Sequence, residues 1–518
     1  MHHTGYQVFL LCIVELSAAP SIRYCKIISL RNNMKHLLPK LNLKFWLSKW
    51  VTLGLLLTTV SPLYAASPQK IQRDINTIIA NFKEDINIGI KVENLNTNKI
   101  IYTLNADRYY VPASNLKLFT AIAGLLYLGP KFTFDTKILA NTNQVKNGVL
   151  NSDLTIKFNA DPTLSSDDLA RMINQLRTLD IQQIKGNVLL DNSSFDQINL
   201  GPGWMWDDAR VCFSAPTNAE IINRNCYQII IKPAQTVNQP LISSSIQRPV
   251  PIKLHISALT KPPKTASGLE LIPQGENNYE LIGCLAQNAK PQQLSIAVQY
   301  PRPYTEALVR QLFQKANIKI TGQVKTTNLS SSQPLIALVV NKSPTLLQLV
   351  NPMLKKSDNV ISNALFKTLG AKYFNTQGTW RNSAKAVQAI YSKNGVNLSK
   401  AKILDGAGLS RYNLVTPSQL VNILKLAYKK FKLPQEFIST LPISGVDGTL
   451  KHRMKQTSAQ NRVLAKTGAM ANTIGLSGYI KTNSKQLLAF SIIINGAPNS
   501  LANYRKLEDD ICAYLAQL

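Results

Sequence analysis

Pro112-Ala113-Ser114-Asn115-Leu116-Lys117, continued by an apolar run to Leu128, is the stretch from which the rest of the chain is read. The run after Ser114 reads as a helix, which puts Ser114 at or near its N-terminus. Residues three apart share a helix face, so the Lys117 amine lies beside the Ser114 hydroxyl. A serine hydroxyl is a poor nucleophile until a base takes its proton. A lysine serves as that base once burial or a cationic neighbour lowers its pKa. The positive end of the helix also favours a developing oxyanion. Alone, Ser-x-x-Lys recurs by chance too often to carry a conclusion.

Two further triplets make it a pattern. Ser357-Asp358-Asn359 opens an apolar run through Leu365, and Lys466-Thr467-Gly468 stands just before a strand around Ile474. A Lys and a Thr on an edge strand suit a carboxylate, and a Gly there lets a substrate backbone come close. In this order, on helix, loop and strand, the three are the motif set of penicillin-binding proteins and class A β-lactamases.

Working outward, Ile71, Ile75, Ile78, Ile79 and Phe82 fall on one helix face, and Ile86, Ile88, Ile90 and Val92 alternate as a strand does. Residues 100–104 read as its partner. Residues 474–480 and 487–494 are strand-like, and Leu507, Ile511, Leu515 and Leu518 make a closing amphipathic helix. The two chain ends therefore build one α/β (α+β) domain, with an antiparallel sheet flanked by helices. Between about 133 and 334 the short alternating runs 154–158, 186–190, 228–231 and 294–298 read as β-rich insertions, one nested in the other. The expected division is 66–135 with 335–518 as domain I, 136–205 with 290–334 as domain II, and 206–289 as domain III.

The N-terminus reads as an address rather than as fold. Basic Lys44–Lys49, apolar Val51–Val60 and small Ala65-Ala66 have the order of a secretory signal peptide. Met34 fits its start better than Met1 does. Export implies a periplasmic protein whose remaining cysteines, Cys212, Cys226, Cys284 and Cys512, meet an oxidising compartment. No C-x-x-C occurs and only His255 and His452 remain beyond the leader, so no metal or other cofactor is expected. Cys212 and Cys226 could close a short loop. The net charge of +30 is dispersed, without the basic blocks of nucleic-acid arms. It suits either a soluble basic surface or weak attraction to a membrane or the anionic envelope.

With these residues in place, the chain resembles the D-alanyl-D-alanine carboxypeptidase/endopeptidase family of the penicillin-binding protein 4 type (peptidase S13). The further carriers are Gly203–Asp208 (GWMWDD), Cys212–Pro216 (CFSAP), Asn225-Cys226, Asp405–Arg411 (DGAGLSR) and Leu441–Leu450 (LPISGVDGTL). The separation of 243 positions between Ser114 and Ser357 fits the large insertion of that family. The resemblance implies a transpeptidase/β-lactamase-like fold and a secreted enzyme acting on peptidoglycan stem peptides and cross-links, with β-lactams as covalent inhibitors. It implies Ser114 as nucleophile, Lys117 as base and Ser357 as proton relay, with Asn359 supporting that relay. Lys466, Thr467 and Gly468 would bind the substrate end, and the N–H groups of Ser114 and Ala469 would form the oxyanion hole. Asp208, Phe213 and Arg411 would read the diaminopimelate side chain. The resemblance leaves Cys284 as a free buried thiol, because Leu269 stands where relatives pair it, and it keeps a Cys212–Cys226 bridge in play. Ala471 stands where a polar side chain is expected.

Three rivals are weaker. A class A β-lactamase needs a glutamate between the second and third motifs. Only Glu436 stands between Val360 and Ala465, outside the usual context. A Ser-His-Asp hydrolase lacks its Gly-x-Ser-x-Gly elbow, and His452 beside Lys451 and Arg453 reads as a solvated surface residue. A non-catalytic envelope-binding protein would not need Ser114, Lys117, Ser357, Asn359 and Lys466 together.

Overall fold

The computed structural model describes residues 67–245, 252–327, 334–430 and 434–518. The N-terminal extension and signal peptide expected at 1–65 lie outside the described residues. In chain order, the elements that position the site are α1 (Pro68–Ala80), β1 (Asn87–Asn94), β2 (Ile100–Leu104), α2 (Leu116–Tyr127), α3 (Asn359–Phe374), β3 (Val463–Met470), β4 (Thr473–Lys481), β5 (Leu487–Asn495) and α4 (Leu501–Gln517).

The five strands form one fully antiparallel sheet in the order β3-β4-β5-β1-β2. Side chains alternate across a strand. On β5, Leu488, Phe490, Ile492 and Ile494 enter a core shared with α1 and α4. Ala489 and Ile493 enter the opposite core, with α2, α3 and the helices Leu346–Lys355, Trp380–Lys393 and Pro417–Lys430. Both faces of β5 are covered, so its sequence is an almost unbroken apolar run. The expected sheet flanked by helices is what forms. Helix α2 is buried on all sides from Leu116 to Leu125, as an all-apolar helix must be. Lys117 is the single charge in it.

The middle of the chain leaves through a strand at Asp135–Ala140 and returns through Ile336–Lys342. These two are antiparallel neighbours, with Asp135 opposite Lys342. Their sheet continues through Leu154–Phe158, Val188–Asp191 and Val324–Thr327. Helices Ser166–Thr178 and Pro301–Lys315 pack on it, so the insertion is not only β, as expected, but carries two helices. The helical signal is present in the sequence, since Leu169, Met172, Ile173 and Leu176 recur at helical spacing and are all buried. A smaller β module encloses Ile229, Ile231, Leu241, Tyr279, Leu281, Leu285 and Ile296. Gln292–Ala297 pairs with Cys226–Lys232, so this strand, assigned from sequence to domain II, shares a sheet with the nested module.

Cys212 and Cys226 are joined in a disulfide. Cys284 is free, but it is only partly buried, which corrects the expected buried thiol. It lies on the strand Asn278–Ala286, where Tyr279, Leu281 and Leu285 point inward. Two-residue alternation therefore turns Cys284 outward.

Candidate active site

The turn before α2 is shaped to present Ser114. Ala113 sits in the left-handed region at φ 47°, and residues Ala113–Asn115 form one 3₁₀ turn that runs into α2. Two glycines make room for this turn. A Cβ on Gly408 would lie 1.9 Å from the Ala113 carbonyl oxygen, and one on Gly468 would lie 2.6 Å from Asn115 Nδ2. Gly468 thus lets β3 pack on the Ser114 turn, a reason that the sequence pattern alone did not offer.

Lys117 Nζ donates to Ser114 Oγ at 2.8 Å and to the Ala407 carbonyl at 2.8 Å. Its side chain has no solvent exposure. Burial disfavours the ammonium and lowers its pKa to about 7, while the nearby carboxylates of Asp405 and Asp358 oppose that shift. The loop carrying Ala407 is organised by buried Asp405. Its carboxylate accepts from the N–H groups of Gly408, Leu409 and Ser410, from Asn413 Nδ2 and from Trp204 Nε1.

The second motif opens α3. Asp358 caps that helix by accepting from the Ile361 N–H at 3.0 Å and pairs with Arg224 at 2.5 Å. Ser357 adopts a left-handed φ of 59°, and its Oγ accepts from Lys466 Nζ at 2.9 Å. Asn359 Nδ2 donates to the Phe213 carbonyl at 2.6 Å, tying the insertion to the second motif. Lys466 also donates to the Thr467 carbonyl at 2.6 Å. It is fully buried, and desolvation, aided by the neighbouring Lys117 charge, holds its pKa well below the usual lysine range. Thr467 Oγ1 donates to Thr449 Oγ1 at 2.8 Å.

Strand β3 is a sheet edge. Ala465 N–H points outward to the Pro442 carbonyl, and backbone direction repeats every second residue. The N–H of Ala469 therefore faces the open edge as well. A cleft of about 470 Å³ runs along it, lined by Ser114, Ser357, Thr449, Thr467, Gly468, Ala469, Ile474, His452, Arg453 and Arg505. The structure thus gathers Ser114, Ser357, Thr467, Gly468 and Ala469 in one cleft, with Lys117 and Lys466 buried behind the two serines. Glu436 is exposed and is not among the lining residues.

Asp208 and Arg411 are within electrostatic reach of one another. Burial, with Asp207 beside it, raises the Asp208 pKa, and the Arg411 charge opposes the rise. Arg411 Nη1 donates to the Ala471 carbonyl at 3.2 Å, so Ala471 meets Arg411 through its backbone. Phe213 is half-exposed. His452, expected as a plain surface residue, is exposed but lines the cleft, together with Thr449, Arg453 and Arg505. Thr449 falls in the stretch Leu441–Leu450 that carries the resemblance, with no role assigned to it there, and no motif flagged Arg505. Only the packing of α4 beside β4, with the turn at 448–454 against it, brings them there.

Comparison with known proteins agrees with this geometry. A family model described as the D-Ala-D-Ala carboxypeptidase 3 (S13) family matches residues 71–518. The chain is 30% identical over 430 residues to the D-alanyl-D-alanine carboxypeptidase DacB of Haemophilus influenzae, covering 82% of this chain and 88% of that protein. It is 29% identical to the D-alanyl-D-alanine carboxypeptidase of an Actinomadura species, covering 86% and 85% respectively. The crystal structure of penicillin-binding protein 4 (dacB) from H. influenzae superposes with a TM-score of 0.80 at 29% identity, covering 86% of this chain and all of that one. That protein has also been solved with a bound β-lactam, in a structure matching at TM-score 0.74 and 27% identity. From motif order, fold and site alike, the chain belongs to the D-Ala-D-Ala carboxypeptidase 3 (S13) family.

Proposed function

We propose that this protein is a serine-type D-Ala-D-Ala carboxypeptidase and DD-endopeptidase that trims peptidoglycan stem peptides and opens their cross-links through an acyl-enzyme on Ser114. One observation carries the reading. Two serine hydroxyls share one cleft, and each has a buried lysine amine within 2.9 Å. A lysine with a pKa of about 7 is substantially neutral at neutral pH and can take the Ser114 proton.

In this reading Ser114 Oγ attacks the carbonyl carbon between two D-alanines, and its proton passes to Lys117 Nζ. The N–H groups of Ser114 and Ala469 hold the oxyanion, a term worth roughly 3–4 kcal/mol per donor where it has been measured. As the tetrahedral intermediate collapses, the C–N bond breaks. The departing nitrogen takes a proton from Ser357 Oγ, and the proton that Lys117 took from Ser114 passes to Ser357, which leaves Lys117 neutral again, while Lys466 holds the Ser357 hydroxyl in place. Water then cleaves the acyl ester. Asn359, bonded to the Phe213 carbonyl, keeps the insertion against this relay. Asp208 faces the free amine of a diaminopimelate side chain and Arg411 its carboxylate, with Phe213 beside them. A β-lactam acylates the same serine and leaves slowly.

The domain division expected from sequence belongs to this proposal, with the strand at Gln292–Ala297 moved to the nested module. So does periplasmic residence, for which the signal peptide read within residues 1–65 is the support. Among the described residues no helix is long and apolar enough to cross a membrane.

The test is to incubate purified protein with a fluorescent penicillin and weigh it by mass spectrometry beside Ser114→Ala. A single adduct that the variant lacks is expected. A folded wild-type protein that takes no adduct would overturn the acyl-enzyme reading.

A further inference from the structure

The acyl-transfer reading needs a positive charge where the substrate's terminal carboxylate lies, and the lysine of the third motif does not present one. Lys466 is fully buried and its Nζ is spent on Ser357 Oγ and the Thr467 carbonyl. The basic side chains that do line the cleft are His452, Arg453 and Arg505. Arg453 is committed, since it pairs with Glu508 at 2.9 Å and Asp509 at 2.7 Å, and donates to the Arg505 carbonyl at 3.0 Å. Glu508, one turn beyond Arg505, is turned inward and fully buried against Arg453. His452 and Arg505 are exposed, and neither makes an ion pair among the described residues. Arg453 thereby anchors the turn that carries His452 to the first turns of α4, which carry Arg505.

We propose that Arg505 binds the terminal carboxylate of the substrate's C-terminal residue, with the His452 imidazole as a further hydrogen-bond donor and the Thr449–Thr467 hydroxyl pair beside it. A guanidinium suits this task, because its planar fork matches a carboxylate with two parallel hydrogen bonds and it stays charged at any working pH. Once the C–N bond breaks, the leaving D-alanine keeps its carboxylate on Arg505, and its neutral amine takes up a second proton from water as it departs. The inference deepens the carboxypeptidase reading and rests on it.

The experiment compares kcat/KM for an N-acylated D-Ala-D-Ala dipeptide with that for the same dipeptide ending in a carboxamide. Wild-type protein is expected to prefer the free acid. Arg505→Ala is expected to cut that preference by about 10- to 100-fold, the usual worth of a charge-assisted pair. Arg505→Lys should restore part of it, and His452→Ala should cut it less. Equal losses on both substrates, or an unchanged preference, would overturn the assignment. Arg505 is exposed, so thermal melting should be unchanged, and Arg505→Gln gives a second variant should the alanine protein fold poorly. The parent reading fails separately, through absence of a penicillin adduct on the wild-type protein.

Discussion

Replacing Lys117 by methionine should stop acylation and at the same time stabilise the protein. In the unfolded chain this lysine keeps its proton to about pH 10.5, whereas the folded chain gives it up near pH 7. Between those values the unfolded state holds more protons, so stability rises with pH across the window. The cost of holding Lys117 is complete below about pH 7 and has faded by about pH 10.5. A shift of this size corresponds to about 5 kcal/mol at pH 6 and about 1.5 kcal/mol at pH 9.5. Methionine fills a similar volume without a charge, but it leaves the Ala407 carbonyl without the lysine donor, at a cost of about 1–3 kcal/mol. Lys117→Met should therefore melt a few degrees above wild type near pH 6, with the gap closing or reversing by pH 9.5. Calorimetry across pH, paired with penicillin acylation rates, reads both effects. The wild-type acylation rate should itself rise through about pH 7. A variant less stable by the same margin at every pH, or one that still acylates at a comparable rate, would refute the argument that burial of Lys117 makes it the base.

Two further outcomes follow from packing. Gly468→Ala places a methyl carbon 2.6 Å from Asn115 Nδ2 and 2.8 Å from the Pro112 carbonyl oxygen. It should cost about 1–3 kcal/mol by overpacking and lower the acylation rate at least tenfold, read by melting and by adduct formation against time. Lys367 is fully buried, donates to Asp196 at 2.6 Å, and lies over the rings of Phe195 and Trp380. Lys367→Ala should destabilise the protein by about 3–5 kcal/mol by stranding a largely buried carboxylate. Adding Asp196→Asn should recover part of that loss in denaturant unfolding.

Much of the proposed catalytic machinery was legible because it is local. Ser114 and Lys117 are three residues apart before an apolar helix, and i,i+3 geometry alone brings amine to hydroxyl. The central sheet was legible through Ile88, Ile90 and Val92 and through the apolar run of β5, where period-two patterning has few other readings. The helix at Ser166–Thr178 carried its own periodic signal but sat among strand-like runs that outweighed it. Cys284 could not be placed from composition. Its exposure depends on which parity of one strand faces the small core, and that is decided by the pairing partners of Tyr279 and Leu281.

Sequence by itself determined the reaction class and the antiparallel α/β domain and singled out the proposed nucleophile and base, because these rest on short-range spacing and on periodicity that each segment carries within itself. Tertiary structure alone decided that Lys466 is buried behind Ser357, that Gly468 serves the fit of β3 against the serine turn, and that His452 and Arg505 are exposed along the cleft. Each of those depends on contacts between segments tens to hundreds of residues apart. Burial and electrostatic environment are properties of that assembled neighbourhood, and no window of the chain contains them.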